Sequence, residues 1–402
     1  MYAGGPHELT RGAPGVDGPR FDGAADALGW DNTVSIKTLR LTGQLDPDGP
    51  VALDLDAGGI TGAAAVDALR ATLRGEAAQH QLQLDATLPQ GALDLMLAGT
   101  LDLDALRWRG QLQRANLHAH NVPPLALRAP AELRLSATAQ SLQTSCWDSP
   151  APAQVGFCLN GRHQEGEVAA RLALERFDYG LIAAFLPERW QLDGAVAGHA
   201  DLALTAGGTP VLDVDLRTEA GGLDIGRQAA MQFLPGHIRL HEDGGGLQID
   251  IDLPTSQGGI RVDGQVAPAD TLAARALAIS LQARFDDLAW IDRLSPEFRD
   301  LEGALNADVS VGGTVDQPLF EGQVALDVPQ IALVTPGITL KDVAARLHAR
   351  PGEAATVSAQ ATAGSGKLVR TGTASTAAAR DAVNVAFNYF KANSNRVSGS
   401  IH

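Results

Sequence analysis

The sequence is poor in aromatic residues and in positive charge, and it contains only two cysteines. Phe, Trp and Tyr make up 4% of the 402 residues, which is too few to fill the core of an ordinary large globular domain. Asp and Glu outnumber Lys and Arg by 47 to 31, giving a formal net charge of −16. This balance argues against nucleic acid as a partner, because binding to phosphates requires a basic surface. It also argues against electrostatic docking onto an anionic membrane face.

Long apolar runs are also lacking. Apolar residues account for 45% of the chain, which argues against wholesale disorder. The longest apolar runs, such as Gly180–Leu186, are nevertheless much shorter than the ~18 residues of a transmembrane helix. The first residues show no charged region followed by an apolar stretch, so we predict no signal peptide there. We expect either a cytoplasmic protein or a chain without its targeting end.

The dominant pattern is strict alternation of apolar and polar residues. In the stretch from Val51 to Ala57, Val51, Leu53 and Leu55 alternate with polar positions that include Asp54 and Asp56. A period of two residues indicates β-strands with one apolar and one solvated face. The connections are short and rich in Gly, Pro and Asp, which favours antiparallel hairpins. We therefore predict an all-β fold built as a long antiparallel meander.

One segment occurs twice. "RFDYGLIAAFLPERWQLDGAV" (Arg176–Val196) returns as "RFDDLAWIDRLSPEFRDLEGAL" (Arg284–Leu305), after about 109 residues. In both copies the two-residue alternation stops, and a proline follows that would end a helix. We therefore predict short helices near residues 178–186 and 287–294. A repeated insert of this kind predicts a plug or corner on a long sheet.

A sheet of this length must curl, close or split into layers. A sandwich would need more aromatic filling, and 3 Tyr with 5 Trp cannot form the girdles of an outer-membrane barrel. We therefore predict a sheet curled lengthwise into an apolar-lined groove (a β-taco). Residues 1–30 are predicted to be a poorly defined segment, and residues 31–402 one continuous, repetitive groove region.

The apolar face of the predicted groove is the candidate site. The alternative is that the same residues only pack on one another in a dry core. The predicted lining residues are Leu53, Leu84, Leu95, Leu172, Leu204, Leu216, Ile249, Ile251, Ile279, Leu281 and Leu326.

Other candidate sites are weaker. Cys146 and Cys158 flank a Pro-rich turn, which favours a disulfide over two unrelated free thiols. His118 and His120 share one face of a strand, but two ligands without a third make a poor metal site. The stretch Ala363–Leu368 lacks the first Gly and the Ser or Thr of a P-loop. We identify no catalytic residues, metal site or cofactor, and we predict a protein that is not an enzyme.

Several motifs resemble the TamB family, which belongs to the AsmA-like, repeating β-groove proteins. They are the run Leu186–Leu216, its echo Ser295–Leu326, and the pairs Cys146-Trp147 and Phe157-Cys158. The resemblance implies an inner-membrane subunit of the translocation and assembly module. It further implies an N-terminal anchor, a periplasmic β-groove and a C-terminal domain that meets an outer-membrane barrel partner. The chain resembles an internal part of such a protein and lacks the anchor.

The leading functional hypothesis is a non-enzymatic periplasmic conduit that carries phospholipid along the groove. The family also implies a role in outer-membrane protein assembly and secretion. One alternative is an assembly scaffold that holds nascent barrel strands by β-augmentation. Another is a structural, adhesin-like β stalk, whose core would be filled.

Overall fold

The computed structural model describes residues 2–3, 8–11 and 20–372, apart from short gaps at 31–33, 46–48, 63–64, 77, 103, 121, 152–153, 227, 295–296, 335–337 and 364–365. The last part of the predicted groove region, residues 373–402, lies outside the described residues. The described chain consists mainly of β-strands that pair antiparallel, which confirms the predicted all-β fold. It forms two compact units: residues 1–184 with 198–209, and residues 185–197 with 210–402.

The first unit is a meander of long strands. Its strands are β1 (Tyr2–Ala3), β2 (Glu8–Arg11), β3 (Arg20–Trp30), β4 (Val34–Leu45), β5 (Pro50–Thr61), β6 (Val66–Glu76), β7 (Gln79–Leu88), β8 (Gly91–Asp102), β9 (Arg107–Ala119), β10 (Val122–Leu127), β11 (Ala131–Leu135), β12 (Ala139–Asp148), β13 (Val155–Gln164) and β14 (Glu167–Asp178). β3 lies in the segment for which no regular structure was predicted, and it pairs with β4. β10 and β11 share one position between β9 and β12, because Pro130 lacks an N–H and interrupts the strand.

The second unit is also built of antiparallel strands, of which β24 and β25 have 16 residues each. The remaining strands of the chain are β15 (Trp190–Asp193), β16 (Ala195–Leu204, of which residues 198–204 belong to the first unit), β17 (Val211–Thr218), β18 (Gly221–Ile225), β19 (Gln228–Phe233), β20 (Gly236–Glu242), β21 (Leu247–Thr255), β22 (Gly258–Val266), β23 (Leu277–Phe285), β24 (Phe298–Gly313), β25 (Pro318–Leu333), β26 (Ile338–Ala349), β27 (Thr356–Ala363) and β28 (Gly366–Gly372). From β20 to β28 each strand pairs with the next. β18 and β19 form a hairpin between β17 and β20, which pair with each other.

Helices are few and short. A 3₁₀ helix covers Tyr179–Phe185, another covers Leu272–Ala274, and the α-helix α1 covers Ile291–Leu294. Both predicted inserts therefore contain helical turns, but α1 is only one turn long. It is preceded by tight turns, in which Asp287 accepts a hydrogen bond from the Ala289 N–H (2.8 Å). Among the described residues, no helix has the length and apolarity needed to cross a membrane.

The hydrophobic core of the second unit forms around α1. Leu288, immediately before α1, is 1% exposed and belongs to a buried cluster. The other buried members come from five strands: Leu223, Ile225, Ala230, Met231, Phe285, Leu301 and Val328. Trp290, Ile291 and Leu294 of the insert pack against this cluster. The predicted helical insert therefore lies on the apolar face of the sheet.

Cross-strand bonds reinforce the end of the first unit. Cys146 on β12 and Cys158 on β13 lie directly opposite each other and form a disulfide. Nearby, Arg128 donates hydrogen bonds to Asp148 (2.7 Å) and Glu175 (2.6 Å), which belong to β12 and β14. Arg128 thereby connects β12 and β14, which lie on either side of β13.

The burial of Leu288 predicts a large effect on stability. Leu288→Ala should lower the free energy of unfolding by about 2–5 kcal/mol, because it leaves a cavity in a packed cluster. The matched control is Leu319→Ala, since Leu319 lies in the same unit and is 43% exposed. Urea unfolding measures both variants, and equal effects would show that Leu288 is not a core residue.

The ion cluster predicts a pH-dependent contribution. Hydrogen bonds from Arg128 hold the pKa of Asp148 and the pKa of Glu175 below their usual values. Because both pKa values are lowered in the folded state, the stabilisation is present at neutral pH. It is lost in acid, as the pH falls from the usual range of a carboxyl group through these lowered pKa values and the carboxylates become protonated.

Arg128→Met should therefore destabilise the protein by about 1 kcal/mol or less at pH 7, since the groups are partly exposed, and by less at pH 3. Urea unfolding at both values measures this difference. Arg162→Met, at an exposed arginine without an ion pair among the described residues, should show no such dependence. A constant Arg128→Met effect across pH would contradict the electrostatic origin.

Candidate functional site

The sheet of the first unit has one continuous apolar face. Residues directly opposite each other on paired strands share a face, and the register from β4 to β9 aligns apolar residues in three rows. We call these rows the first apolar face. They are Leu39, Ala57, Leu69, Ala86, Leu93 and Leu117; Leu41, Leu55, Ala71, Leu84, Leu95 and Ala115; and Gly43, Leu53, Leu73, Leu82, Leu97 and Leu112.

The opposite face of the same strands carries charge. One row across it is Arg40, Asp56, Arg70, Asp85, Asp94 and Asn116. The carboxylate of Asp56 lies 2.8 Å from the Arg70 guanidinium, and Asp54 lies 2.7 Å from Arg74. Asp54 and Asp56 are therefore ion-paired on a solvated face, as the alternation predicts.

The second unit has an equivalent face, here called the second apolar face. Its two main rows are Leu216, Ile238, Ile251, Val262, Leu281 and Val309, and Val214, Leu240, Ile249, Gly264, Ile279, Val311 and Phe320. Farther along the strands, Phe285, Leu305 and Leu326 form a third row that leads into the core cluster around α1.

Most of the predicted lining residues are neither buried nor fully exposed. Leu172 and Leu204 are 41% and 37% exposed, and the other nine are half-buried. Leu326 differs from the rest, because it packs against the core cluster of the second unit. A dry core between two layers would bury such side chains completely, so the half-buried residues remain accessible to an apolar ligand.

A polar pair borders each apolar face. On the first face, Trp108 donates a hydrogen bond from Nε1 to Nε2 of His80 (2.7 Å), and His80 is 4% exposed. The Trp108 ring lies over Gly99 and Gly110, where any side chain would collide with it. His80 Nδ1 is 3.1 Å from the Glu76 carbonyl, so in this arrangement Nδ1 carries the proton.

The pair on the second face is ionic. Glu242 continues the alternation of Ile238 and Leu240, and it binds the guanidinium of Arg275. Both side chains are largely buried. The sequence analysis missed both pairs. The available signal was that His80 and Glu242 are polar residues at positions where the alternation of their strands expects apolar ones.

The insert on the second apolar face contains an unsatisfied donor. Trp290 Nε1 is buried and has no hydrogen-bond acceptor among the described residues. The ring packs against Phe285, with a centroid distance of 6.2 Å. A buried donor without an acceptor costs about 1–3 kcal/mol, so this position is unfavourable unless another group supplies an acceptor.

The polar face of the second unit bears a cavity of about 590 Å³. Asp252, Arg261, Gln282 and Asp308 are among the residues that line it. Arg261 lies 3.3 Å from Asp252, so charges of opposite sign are paired within it. Such a lining is unsuitable for an acyl chain, which leaves the apolar faces as the candidate site.

The weak metal candidate remains unsupported by a third ligand. His118 and His120 are exposed, and within the described ranges no further His, Cys, Asp or Glu approaches them as a third ligand.

Comparison with known proteins identifies the family. A family model described as TamB, N-terminal domain, matches residues 18–326, which extend from before β3 into β25. No solved structure matches this chain. The matched region covers most of the sequence and includes both apolar faces and both copies of the repeated segment. The chain therefore belongs to the TamB family, a family of the translocation and assembly module.

Proposed function

We propose that the two apolar faces bind the acyl chains of phospholipids that are carried across the bacterial envelope, with no chemical step. The observation that carries this proposal is the set of apolar rows in each unit, in which most leucine, isoleucine and valine side chains are half-buried. In each unit the rows run from strand to strand across the sheet. Headgroups would remain in water at the border of each face.

The energetics suit a mobile ligand. Burial of apolar surface contributes about 25 cal/mol per Å², or ~0.8 kcal/mol for each CH₂ group. The three rows of the first apolar face lie about 7 Å apart and form a band roughly 14 Å wide. Successive positions along this band have similar Leu and Ala side chains and no polar group. A bound chain can therefore shift by one strand without losing a specific contact.

The core cluster supports a concave second apolar face. β19 pairs with β21 at Phe233 and Thr255, so six strand-to-strand steps separate β18 from β25. In a flat sheet these two strands would stand about 29 Å apart, at ~4.8 Å per step. Leu223 on β18 and Val328 on β25 nevertheless belong to one buried cluster with Leu288. The insert is too short to cover a flat sheet of that width. Curvature of the strands around it explains the burial and supports the predicted groove.

The proposed compartment is the periplasm, where a full-length protein would be tethered to the inner membrane. The Cys146–Cys158 disulfide supports this assignment, because disulfides persist in oxidising compartments. An outer-membrane barrel partner and a role in protein assembly follow from the family and belong to this proposal.

The scaffold hypothesis has one supporting feature. β28 pairs with β27, and within the described part of the chain no strand covers its other edge. An exposed edge can accept an added strand. The adhesin-like stalk has no comparable support, since half-buried rows do not form a filled core.

The proposal predicts opposite outcomes for two neighbouring substitutions on β7. Leu84→Arg places a charge on the first apolar face and should reduce phospholipid binding about tenfold. Gln83→Arg places the same charge on the solvated face, near Asp85, and should leave binding unchanged. Binding is measured by photo-crosslinking from a diazirine amino acid at position 95 to vesicles of phosphatidylethanolamine and phosphatidylcholine.

Thermal melting separates this function from a packed core. On an open face, the arginine can extend its guanidinium to water, so Leu84→Arg should remain folded. In a dry core, the same change would bury an unpaired charge and cost several kcal/mol. Collapse of the Leu84→Arg melt, with no crosslinking in the unsubstituted protein, would refute lipid binding. Equal crosslinking from positions 95 and 94 would refute it as well.

A further inference from the structure

The second apolar face is covered over part of its length by the chain itself. Along β23, Ile279 and Leu281 are half-buried, whereas Phe285 on the same face is 8% exposed. The cover is the segment 286–294, hereafter the strap. Its Leu288, Trp290, Ile291 and Leu294 side chains lie in the core cluster. The open rows and the covered region are therefore parts of one continuous surface.

The strap is attached through few polar contacts. Both carboxylate oxygens of Asp292 accept a hydrogen bond from the Leu301 N–H, at 3.1 and 3.0 Å, which ties α1 to β24. At its start, the Asp286 N–H donates to the Gln257 carbonyl (2.9 Å). Among the described residues, its remaining contacts with the sheet are made by apolar side chains, which an acyl chain could replace with equivalent burial.

The unsatisfied donor of Trp290 indicates which polar group such a ligand would carry. Its buried Nε1 lacks an acceptor among the described residues, as described above. A hydrocarbon alone would leave that donor unsatisfied. An acyl ester carries a carbonyl oxygen next to its hydrocarbon chain and can supply both the apolar surface and the missing acceptor.

The other copy of the repeat shows that only part of such an insert needs to be buried. In the 3₁₀ helix Tyr179–Phe185, Leu181 is 7% exposed, but the side chains of Ile182 and Phe185 are 39% and 70% exposed. The same type of segment therefore occurs with one leucine buried and with other apolar side chains exposed to solvent.

We infer that the surface beneath the strap is a second acyl-ester site, which the strap occupies as an internal substitute for the ligand. An acyl ester enters when the Asp292–Leu301 contact breaks and the strap moves aside. Trp290 then donates its Nε1 hydrogen to the ester carbonyl. This inference rests on the proposed lipid-binding function and adds a gate on the second apolar face.

The experiment compares position 279, on the open rows, with position 305 in the same unit, where Leu305 packs against the core cluster. A diazirine amino acid is placed at position 279 or 305, and the full chain is irradiated with phosphatidylcholine vesicles. In the unsubstituted protein, crosslinking to lipid is expected from 279 but at least threefold less from 305. Asp292→Ala should raise crosslinking from 305 about threefold and leave 279 unchanged. Asp286→Ala is the matched control, because it removes an exposed carboxylate from the same segment without touching Leu301.

Several outcomes would overturn the gate while leaving lipid binding intact. One is strong crosslinking from 279 with none from 305 in Asp292→Ala. Another is equal crosslinking from 279 and 305 in the unsubstituted protein. Absence of crosslinking from 279 in every variant would instead contradict the proposed function itself.

Trp290→Phe tests the ligand contact without depending on the Asp292 variant. It removes the unsatisfied donor but keeps an aromatic ring, so the melting temperature of the lipid-free protein should stay equal or rise. Crosslinking of the ester lipid from 305 should fall, whereas crosslinking of a matched ether lipid, which lacks the carbonyl, should not change. A lower melting temperature together with equal losses for both lipids would show a purely structural tryptophan and overturn the assignment.

Discussion

The structure depends on the strict alternation that directs successive side chains of each strand to opposite faces of the sheet. In an antiparallel sheet, a shift of one residue moves every side chain to the opposite face. The register from β4 to β9 keeps leucine opposite leucine or alanine through successive strands, while arginine and aspartate meet on the other side. This arrangement separates an apolar from a charged surface without any layered core, and the candidate site is a direct product of it.

Stability in such a fold comes mainly from lateral bonds between strands. The disulfide joins β12 to β13, and Arg128 connects carboxylates of β12 and β14. A compact hydrophobic cluster occurs around Leu288, where the strap supplies the cover that a second sheet would give in a sandwich. On the apolar rows most of the larger side chains are half-buried, and the buried residues of the first apolar face are mainly alanines. A protein built in this way can retain an accessible apolar surface because its folding does not depend on sealing that surface.

Buried polar pairs mark the borders of the apolar faces. His80 with Trp108, and Glu242 with Arg275, place satisfied polar groups at positions that the alternation reserves for apolar residues. Burying such groups is tolerable because each has its partner. Trp290 is the exception, since its donor lacks a partner among the described residues. The two paired sites bound the apolar rows, whereas the unpaired one lies where we infer that the ligand enters.

The alternation in the sequence predicts an antiparallel meander of strands and the face to which Leu53, Leu84 or Ile249 belongs, because alternation is a property of neighbouring residues. It also predicts the positions of both inserts, since loss of alternation before a proline is equally local. Which apolar positions are covered depends on the three-dimensional packing. Leu326 and Leu281 lie on the same face of the sheet, yet Leu326 packs against the core cluster and Leu281 remains on the open rows. Burial depends on contacts between residues far apart in sequence, and no periodicity encodes them. For the same reason, the two copies of one repeated segment are buried to different extents. Each buries one leucine, Leu181 or Leu288, but Ile182 and Phe185 of the first copy are exposed, whereas Trp290, Ile291 and Leu294 of the second pack against the core cluster.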